Sequence, residues 1–244
     1  MHELTKRHQT HTKTFHGRHA DIFRSARRLF GRRKKLKVLS FGCSTGEECL
    51  DLAEVFRYSD ITGVDVDQEA LKKAAHIHHP RISIMDSTEG NLRAHGPFDA
   101  IFAMNVFCVF PKSKQFEDIS HLYPITHFDD GLRLLHRHLA HGGILGLFNA
   151  AYFFDDFSLF DAYQPEARGF PPYGSWMVRH KPDGRRANRN VVLFRGDELT
   201  EDEWIEMKRQ DKTLQANGIR QEWINPETCA HLLHDVTLWR KIKD

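Results

Sequence analysis

A chain of 244 residues with 40% hydrophobic and 28% charged side chains suits one sizeable α/β domain, and it has enough apolar residues to bury a core without disulfide or metal staples. Its 35 basic and 33 acidic residues leave a net charge of +2, which by itself points to no polyanionic partner. No stretch approaches the roughly 18 uninterrupted apolar residues of a membrane-spanning helix, and the polar, His-rich start carries no apolar leader segment.

In chain order, residues 1–19 are polar and are expected to form a flexible arm. From Ala20 onward, Ile22, Phe23, Ala26, Leu29 and Phe30 share one face of an amphipathic helix that Gly31 ends. A basic run, Arg32-Arg33-Lys34-Lys35-Leu36-Lys37, follows Arg24, Arg27 and Arg28 on that helix. Val38 to Phe41 is a short buried strand leading into Gly42-Cys43-Ser44-Thr45-Gly46, and Glu47 to Phe56 is a helix. A second strand, Ile61 to Val64, ends at Asp65, and Asp67 caps a helix through Ala75 with Glu69 in its first turn. Strands are expected at Ile82–Met85, ending at Asp86, and at Phe98–Ala103, ending at Met104-Asn105. A helix over 128–140 then precedes Gly142-Gly143, which launches a fifth strand, Ile144 to Phe148. Such alternation of helices with hydrophobic strands predicts a mostly parallel sheet covered on both faces. Farther on, Ser175–Lys181 and Asn190–Arg195 flank Pro182-Asp183-Gly184-Arg185, the signature of an antiparallel hairpin, and Thr200 with Glu203 opens another helix as a capping box.

Cys43, Cys49, Cys108 and Cys229 are scattered without a C-x-x-C pair, so reduced thiols and a cytoplasmic location are expected. The histidines number 17, but the run His76, His78, His79 falls before Pro80 at a helix end, where cationic side chains suit the helix dipole, and no metal site is expected.

Ligands of open α/β sheets bind outside the carboxyl ends of the strands, and the informative residues all fall there. The first turn does not fit a dinucleotide: in a G-x-G-x-x-G frame begun at Gly42, the third and sixth positions are Ser44 and Glu47. Glu47 and Glu48 at the helix start would repel a pyrophosphate and suit a ligand that carries positive charge.

Val38-Leu39-Ser40-Phe41-Gly42-Cys43-Ser44-Thr45-Gly46-Glu47-Glu48 resembles the first motif of class I (Rossmann-like) S-adenosylmethionine-dependent methyltransferases, and its Cys-Ser-Thr-Gly-Glu-Glu form is especially similar to the chemotaxis receptor methyltransferases. The resemblance implies a mostly parallel seven-stranded sheet with helices on both faces and a C-terminal antiparallel hairpin. It makes Phe41, Gly42, Cys43, Ser44, Gly46 and Glu47 cofactor contacts. Asp65, with Val66 beside it, would hold the two ribose hydroxyls, and Asp86 the adenine amino group between Met85 and Ser87. Asn105 would lie along the methionine moiety, and Leu139-Ala140-His141-Gly142-Gly143 resembles the family's turn before strand five. The motifs run from Leu36 to Asn149. Ser40 stands where the family carries an acidic residue, with Glu47 the expected substitute.

The rest is expected to complete a single domain over 20–244, with lid insertions near 107–127 and 150–176 that build an acceptor pocket. Their aromatic residues, among them Phe116, Tyr123, Tyr152, Tyr173 and Trp176, suit a small organic acceptor methylated on oxygen or nitrogen, and equally suit plain packing of the lids onto the sheet. His121 and His127 are the candidate general bases, needed only where the acceptor must lose a proton. Phe170-Pro171-Pro172-Tyr173 is similar to the loop of amino-methylating nucleic-acid enzymes, but Phe170 cannot accept a hydrogen bond from an amino group. A protein or nucleic-acid methyltransferase using the basic stretch Arg24–Lys37, or a cofactor-binding regulator without catalysis, stays open, and nothing in the sequence sets the oligomeric state.

Overall fold

The computed structural model describes residues 3–168, 178–229 and 236–244. The amphipathic helix α1 (Ala20–Leu29) buries Ile22, Phe23 and Ala26, and Phe30 closes it. Strands and helices then alternate as β1 (Lys37–Phe41), α2 (Glu47–Val55), β2 (Asp60–Asp65), α3 (Gln68–Ala74), β3 (Ile82–Asp86), α4 (Glu89–His95), β4 (Phe98–Met104), α5 (Ile125–His138) and β5 (Leu139–Phe148). These five strands pair in parallel, so their carboxyl ends share one edge of the sheet. Two more strands, β6 (Tyr163–Arg168) and β10 (Val236–Lys241), complete a seven-stranded sheet in the order β3-β2-β1-β4-β5-β10-β6.

The period-2 alternation of strand side chains divides the core. Leu39, Phe41 and Val64 face one layer with Phe98, Phe128 and Leu135. Val38 and Ile61 face the other, beneath α1 and α2 with Phe23, Leu52 and Phe56. Ser40 shares the parity of Val38 and so points at α2, which decides its partner below.

The antiparallel finish forms from segments far apart in the chain. β10 inserts between β5 and β6 and runs antiparallel to both. Between β6 and β10 lies a second sheet, β8 (Asp197–Thr200), β7 (Asn188–Phe194) and β9 (Gly218–Trp223), with α6 (Glu201–Gln210) and the short α7 (Pro226–Cys229). The expected hairpin over 175–195 is therefore corrected. The turn at 182–185 closes only the short bridge His180↔Arg186, while Asn190–Phe194 pairs with β8 and β9; residues 175–177 lie outside the described ones. The second sheet has a small core of its own, Val192, Phe194 and Trp204, and meets the main body where Trp223 packs on Phe153.

Two local expectations change. Thr88 caps α4 by accepting from the Asn91 amide, a helix the sequence pattern does not announce. β5 begins at Leu139, so Gly142 and Gly143 lie inside the strand, at a register shift between Phe98 and Ala100, rather than before it. Among the described residues no helix is long and apolar enough to cross a membrane.

Trp239 on β10 is the largest fully buried side chain and packs its ring 4.5 Å from that of Phe154. Trp239→Ala should cost about 3–5 kcal/mol of stability in denaturant unfolding. A loss below about 1 kcal/mol would show that Trp239 is not packed in the core as described.

Candidate functional site

The site begins where β1 stops. The turn from Gly42 to Gly46 reverses the chain into α2 with positive φ at Gly42 (79°), Ser44 (52°) and Gly46 (93°). At Gly46 the φ of 93° strains any residue with a side chain, and a Cβ there would push on Ile77 Cδ1 at 2.4 Å. Asp65, at the end of neighbouring β2, fixes the turn. Its Oδ2 accepts from the Ser44 amide at 2.7 Å, and its Oδ1 from the Asp67 amide at 2.9 Å. Each carboxylate oxygen has lone pairs for another donor, so Asp65 can hold the loop and still accept from a ligand.

A second carboxylate stands one turn into α2. Ser40 donates its hydroxyl to Glu48 Oε1 at 2.7 Å. Burial dominates the environment of Glu48 and lifts its carboxyl from 4.5 to about 8, against the pull of Ser40 and Arg18 toward ionisation and with Asp51 adding repulsion. Of the two adjacent glutamates, Glu48 lines the pocket; Glu47 turns away and accepts from the Thr45 hydroxyl at 2.6 Å. The pocket-facing position expected of Glu47 is occupied by Glu48 instead, because successive helical residues point about 100° apart.

The far wall comes from the ends of β4 and β5. Asn105 (φ 60°) and Asn149 (φ 57°) both adopt the left-handed conformation, which among non-glycine residues asparagine takes most readily. Asn149 Nδ2 donates to Asn105 Oδ1 at 2.5 Å, and Asn105 Nδ2 lies 2.8 Å from His19 Nε2. Burial, with Arg18 beside it, lowers His19 to about 3, so the ring is neutral and Nε2 accepts from the Asn105 amide.

The roof is the surprise. Residues 1–19 are expected to be a flexible arm; those from Glu3 onward are instead packed across the pocket as a strap. Leu4 bridges Thr88, the Thr5 amide donates to the Ser87 carbonyl at 2.7 Å, and Arg7 pairs with Asp67 at 2.7 Å. The Ser44 hydroxyl donates to the Thr12 carbonyl at 2.7 Å, tying the strap to the glycine turn itself. His8 anchors it, its ring set among those of Phe107 at 4.6 Å, His127 at 4.5 Å and Tyr123 at 5.9 Å, with Nδ1 2.8 Å from the Tyr123 hydroxyl. Gly131 permits this approach, since a Cβ there would come within 2.6 Å of the imidazole. Polar segments lack the periodicity that announces buried structure, which is why the strap escapes a reading of the sequence.

Of the residues singled out by sequence, Phe41, Gly42, Cys43, Ser44, Asp65, Val66, Ser87 and Asn105 converge on one pocket with Glu48 and the strap. Gly46 and Glu47 support the turn from outside it. Met85 packs against the core, and Asp86 is exposed and accepts from Gln68 Nε2 at 2.7 Å, so neither lines the pocket here. His121 is exposed against the Phe116 ring. His127 meets the strap through His8 rather than the pocket, and burial lowers its pKa. Phe170-Pro171-Pro172-Tyr173 and Trp176 lie outside the described residues. The basic stretch sits at the opposite edge of the sheet: α1 starts at the pocket with His19 and descends about 15 Å over its ten residues before Arg32–Lys35 lead into β1. Within it, Arg33 pairs with Asp99 and Arg24 with Asp21. Among the described residues no three His, Cys, Asp or Glu side chains are grouped to hold a metal ion.

Residues 38–143 match a family described as a methyltransferase domain. No curated protein matches the chain. Among solved structures, the plantazolicin methyltransferase BpumL in complex with SAH is 20% identical over 52% of this chain and 43% of its own, with a TM-score of 0.39. The cyclase SpnF is 22% identical over 55% and 44% of the two chains, with a TM-score of 0.40. PKMT2 from Rickettsia typhi is 21% identical over 56% and 26%, with a TM-score of 0.41. The matched stretch thus spans less than half the length of each of these chains.

Two pH dependences follow from the site. Glu48, raised from 4.5 to about 8, keeps its proton in the folded chain after the unfolded chain has lost it, so its contribution to stability falls as pH rises across that window. Glu48→Gln should therefore gain stability relative to the parent between pH 5 and pH 8.5 in denaturant titrations; a pH-independent difference would contradict the burial of an uncompensated acid. His8, lowered by burial and by His127 and Lys6, and His19, lowered by burial and Arg18, both fall from 6.5 to about 3. Their contribution is present above pH 6.5 and is lost as pH falls below it. Amide exchange over residues 5–19, corrected for intrinsic rates, should quicken between pH 7 and pH 5, whereas unchanged protection would show that the imidazoles do not hold the strap.

Proposed function

With residues 38–143 a class I, S-adenosylmethionine-dependent methyltransferase domain of Rossmann-like fold, we infer that this chain transfers the methyl group of that cofactor to oxygen or nitrogen of a small organic acceptor. The observation that carries the reading is the pair of carboxylates, Glu48 and Asp65, in one pocket at the carboxyl ends of β1 and β2. Glu48 is a buried acid whose only described hydrogen bond comes from Ser40, so it gains most from a cationic partner, and the cofactor's ammonium is one. Asp65 keeps acceptor capacity for two hydroxyls after holding the Ser44 and Asp67 amides. The donor set therefore fits the cofactor, with acids where a pyrophosphate would need open amides.

When bound, the cofactor supplies a methyl group activated by its sulfonium. The chain's own residues orient and desolvate. Asp65 and the Gly42–Gly46 turn would fix the nucleoside end, with Ser87 beside the base and Asp86 reachable by a modest rearrangement from Gln68. Glu48 and Ser40 would hold the ammonium, and Asn105 would face the methionine chain. The strap excludes water, which strengthens each of these charge-assisted contacts. In-line methyl transfer draws much of its acceleration from such positioning, and a base is required only for a protonated acceptor. His121 faces solvent and His127 faces the strap, so neither is given a proton-transfer step. The placement of Arg27, Arg28 and Arg32–Lys35 at the sheet edge opposite the pocket supports a small acceptor over one gripped by that basic stretch.

Calorimetric titration should show S-adenosylmethionine and its demethylated product binding, and no binding of nicotinamide dinucleotides. Asp65→Ala should lose about tenfold or more in affinity, since two charge-assisted hydrogen bonds go with the carboxylate. Near pH 7, binding should release protons from Glu48, visible as a dependence of the heat on the buffer's ionisation enthalpy. Dinucleotide binding without cofactor binding would overturn the reading.

A further inference from the structure

The charge of the chain is unevenly placed. Residues 22–46 hold eight of the 35 basic residues and none of the 33 acidic ones, so the remainder is net acidic and the overall +2 conceals a polarised molecule. The parallel sheet gathers that basic charge at one edge. β1 begins at Lys37, β2 at Asp60 and β4 at Phe98, so residues 31–37 and the turn before β2 share the amino-terminal edge, away from the pocket. The edge is fixed in shape: the Ser59 hydroxyl donates to the Lys34 carbonyl and accepts from the Leu36 amide, both at 3.2 Å. Arg81 braces the same turn from the other side, with Nη1 on the carbonyls of Phe56 and Ser59 and Nη2 on that of Ala53.

Some of these cations serve the fold. Arg24 pairs with Asp21 and Arg33 with Asp99, Arg27 donates to the Gly31 carbonyl, and Lys37 Nζ to that of Gly96. Arg28, Arg32, Lys34, Lys35 and Arg57 are exposed and pair with no carboxylate among the described residues, and only Glu54 and Asp60 stand near them as exposed acids. The dipoles at the ends of α1 and α2 account for Arg28 and Arg57, but Arg32, Lys34 and Lys35 lie beyond the last turn of α1. Like charges so grouped repel one another, a cost that a polyanion removes. Among the cations stands Tyr58, 62% exposed, with Lys34 Nζ 5.7 Å from the centre of its ring. An anionic bilayer would call for apolar side chains to insert beside the cations, but α1 turns Ile22, Phe23 and Ala26 into the core. An exposed ring beside a line of cations suits single-stranded nucleic acid instead, where phosphates meet the charges and any base offers a face to stack.

We propose that the amino-terminal edge of the sheet is a docking surface for single-stranded nucleic acid, with Arg28, Arg32, Lys34, Lys35 and Arg57 on phosphates and Tyr58 stacked on a base. The contact is independent of sequence, because it reads backbone charge and an aromatic face rather than base edges. The acidic remainder of the chain turns away from the strand, so the pocket stays open to solvent while the edge is engaged. The surface binds a partner and presents no acceptor to the pocket, and it goes beyond the methyltransferase reading without resting on it.

The test follows the fluorescence anisotropy of a labelled oligouridylate, about 20 nucleotides long, titrated with the full chain at several salt concentrations. Binding should saturate in the micromolar range at about 50 mM salt and weaken with a log–log slope of about −3, since each neutralised phosphate of a single strand contributes about −0.7. The triple variant Arg32→Glu, Lys34→Glu, Lys35→Glu should lose at least about tenfold in affinity, with the melting temperature and S-adenosylhomocysteine affinity of the parent. Tyr58→Ala should weaken the single strand about fivefold and leave a duplex of equal length unaffected. Arg209→Glu with Lys212→Glu, at the second sheet, should leave binding intact. The proposal is overturned by absence of saturable binding, by equal binding to the triple variant, or by binding to phosphatidylglycerol vesicles and not to the oligonucleotide. Competition between the oligonucleotide and S-adenosylhomocysteine would also overturn it, by placing the contact at the pocket.

Discussion

One carboxylate holds the pocket in register. Asp65 takes the Ser44 amide on one oxygen and the Asp67 amide on the other, so a single side chain ties the turn after β1 to the start of α3. Three left-handed residues in five make that turn a conformation the backbone would not keep unaided. With it fixed, α2 leaves at an angle that sets Glu48 against Ser40, and the turn's Ser44 hydroxyl becomes an anchor for the strap at Thr12. Remove the Asp65 bonds and the floor and roof of the pocket lose their common reference.

The electrostatics of the pocket are consistent with that frame. Its lining holds acids near the glycine turn and the strap's Arg7 and Arg18, with His19 and Asn105 neutral at the far wall. A ligand with a cationic amino-acid end and a polar sugar fits the acidic region. The strap covers the acidic region and carries its own imidazoles into the aromatic layer beneath Tyr123, so closure and burial of charge are one event. On the proposed reading, cofactor exchange would part the strap from Ser44, Ser87 and Asp67.

Much of this is legible in the sequence where the signal is local. The Gly42–Gly46 turn declares itself by its glycines, and Asp65 and Asn105 are marked by the resemblance to methyltransferase motifs, because all of them lie within a few residues of a strand terminus. What escapes is non-local. β6 and β10 meet across the whole second sheet, so no hairpin pattern marks them, and the turn signal at 182–185 points to a pairing that forms only as one bridge. Which of Glu47 and Glu48 faces the pocket depends on the phase of α2, set by packing of Cys49, Leu52 and Ala53. The strap is polar and aperiodic, held by His8, Arg7 and backbone bonds to distant strands, and nothing in residues 3–19 alone distinguishes it from a free arm.

The central claim is that S-adenosylmethionine binds between the glycine turn, Asp65 and the strap. Hydrogen–deuterium exchange with and without saturating S-adenosylhomocysteine tests it most directly. Protection should rise together over residues 41–48, 65–67 and 87 and across the strap from 5 to 19, with the second sheet at 188–223 unchanged. Saturable binding that leaves those segments as they were, or that protects only the second sheet, would contradict the account.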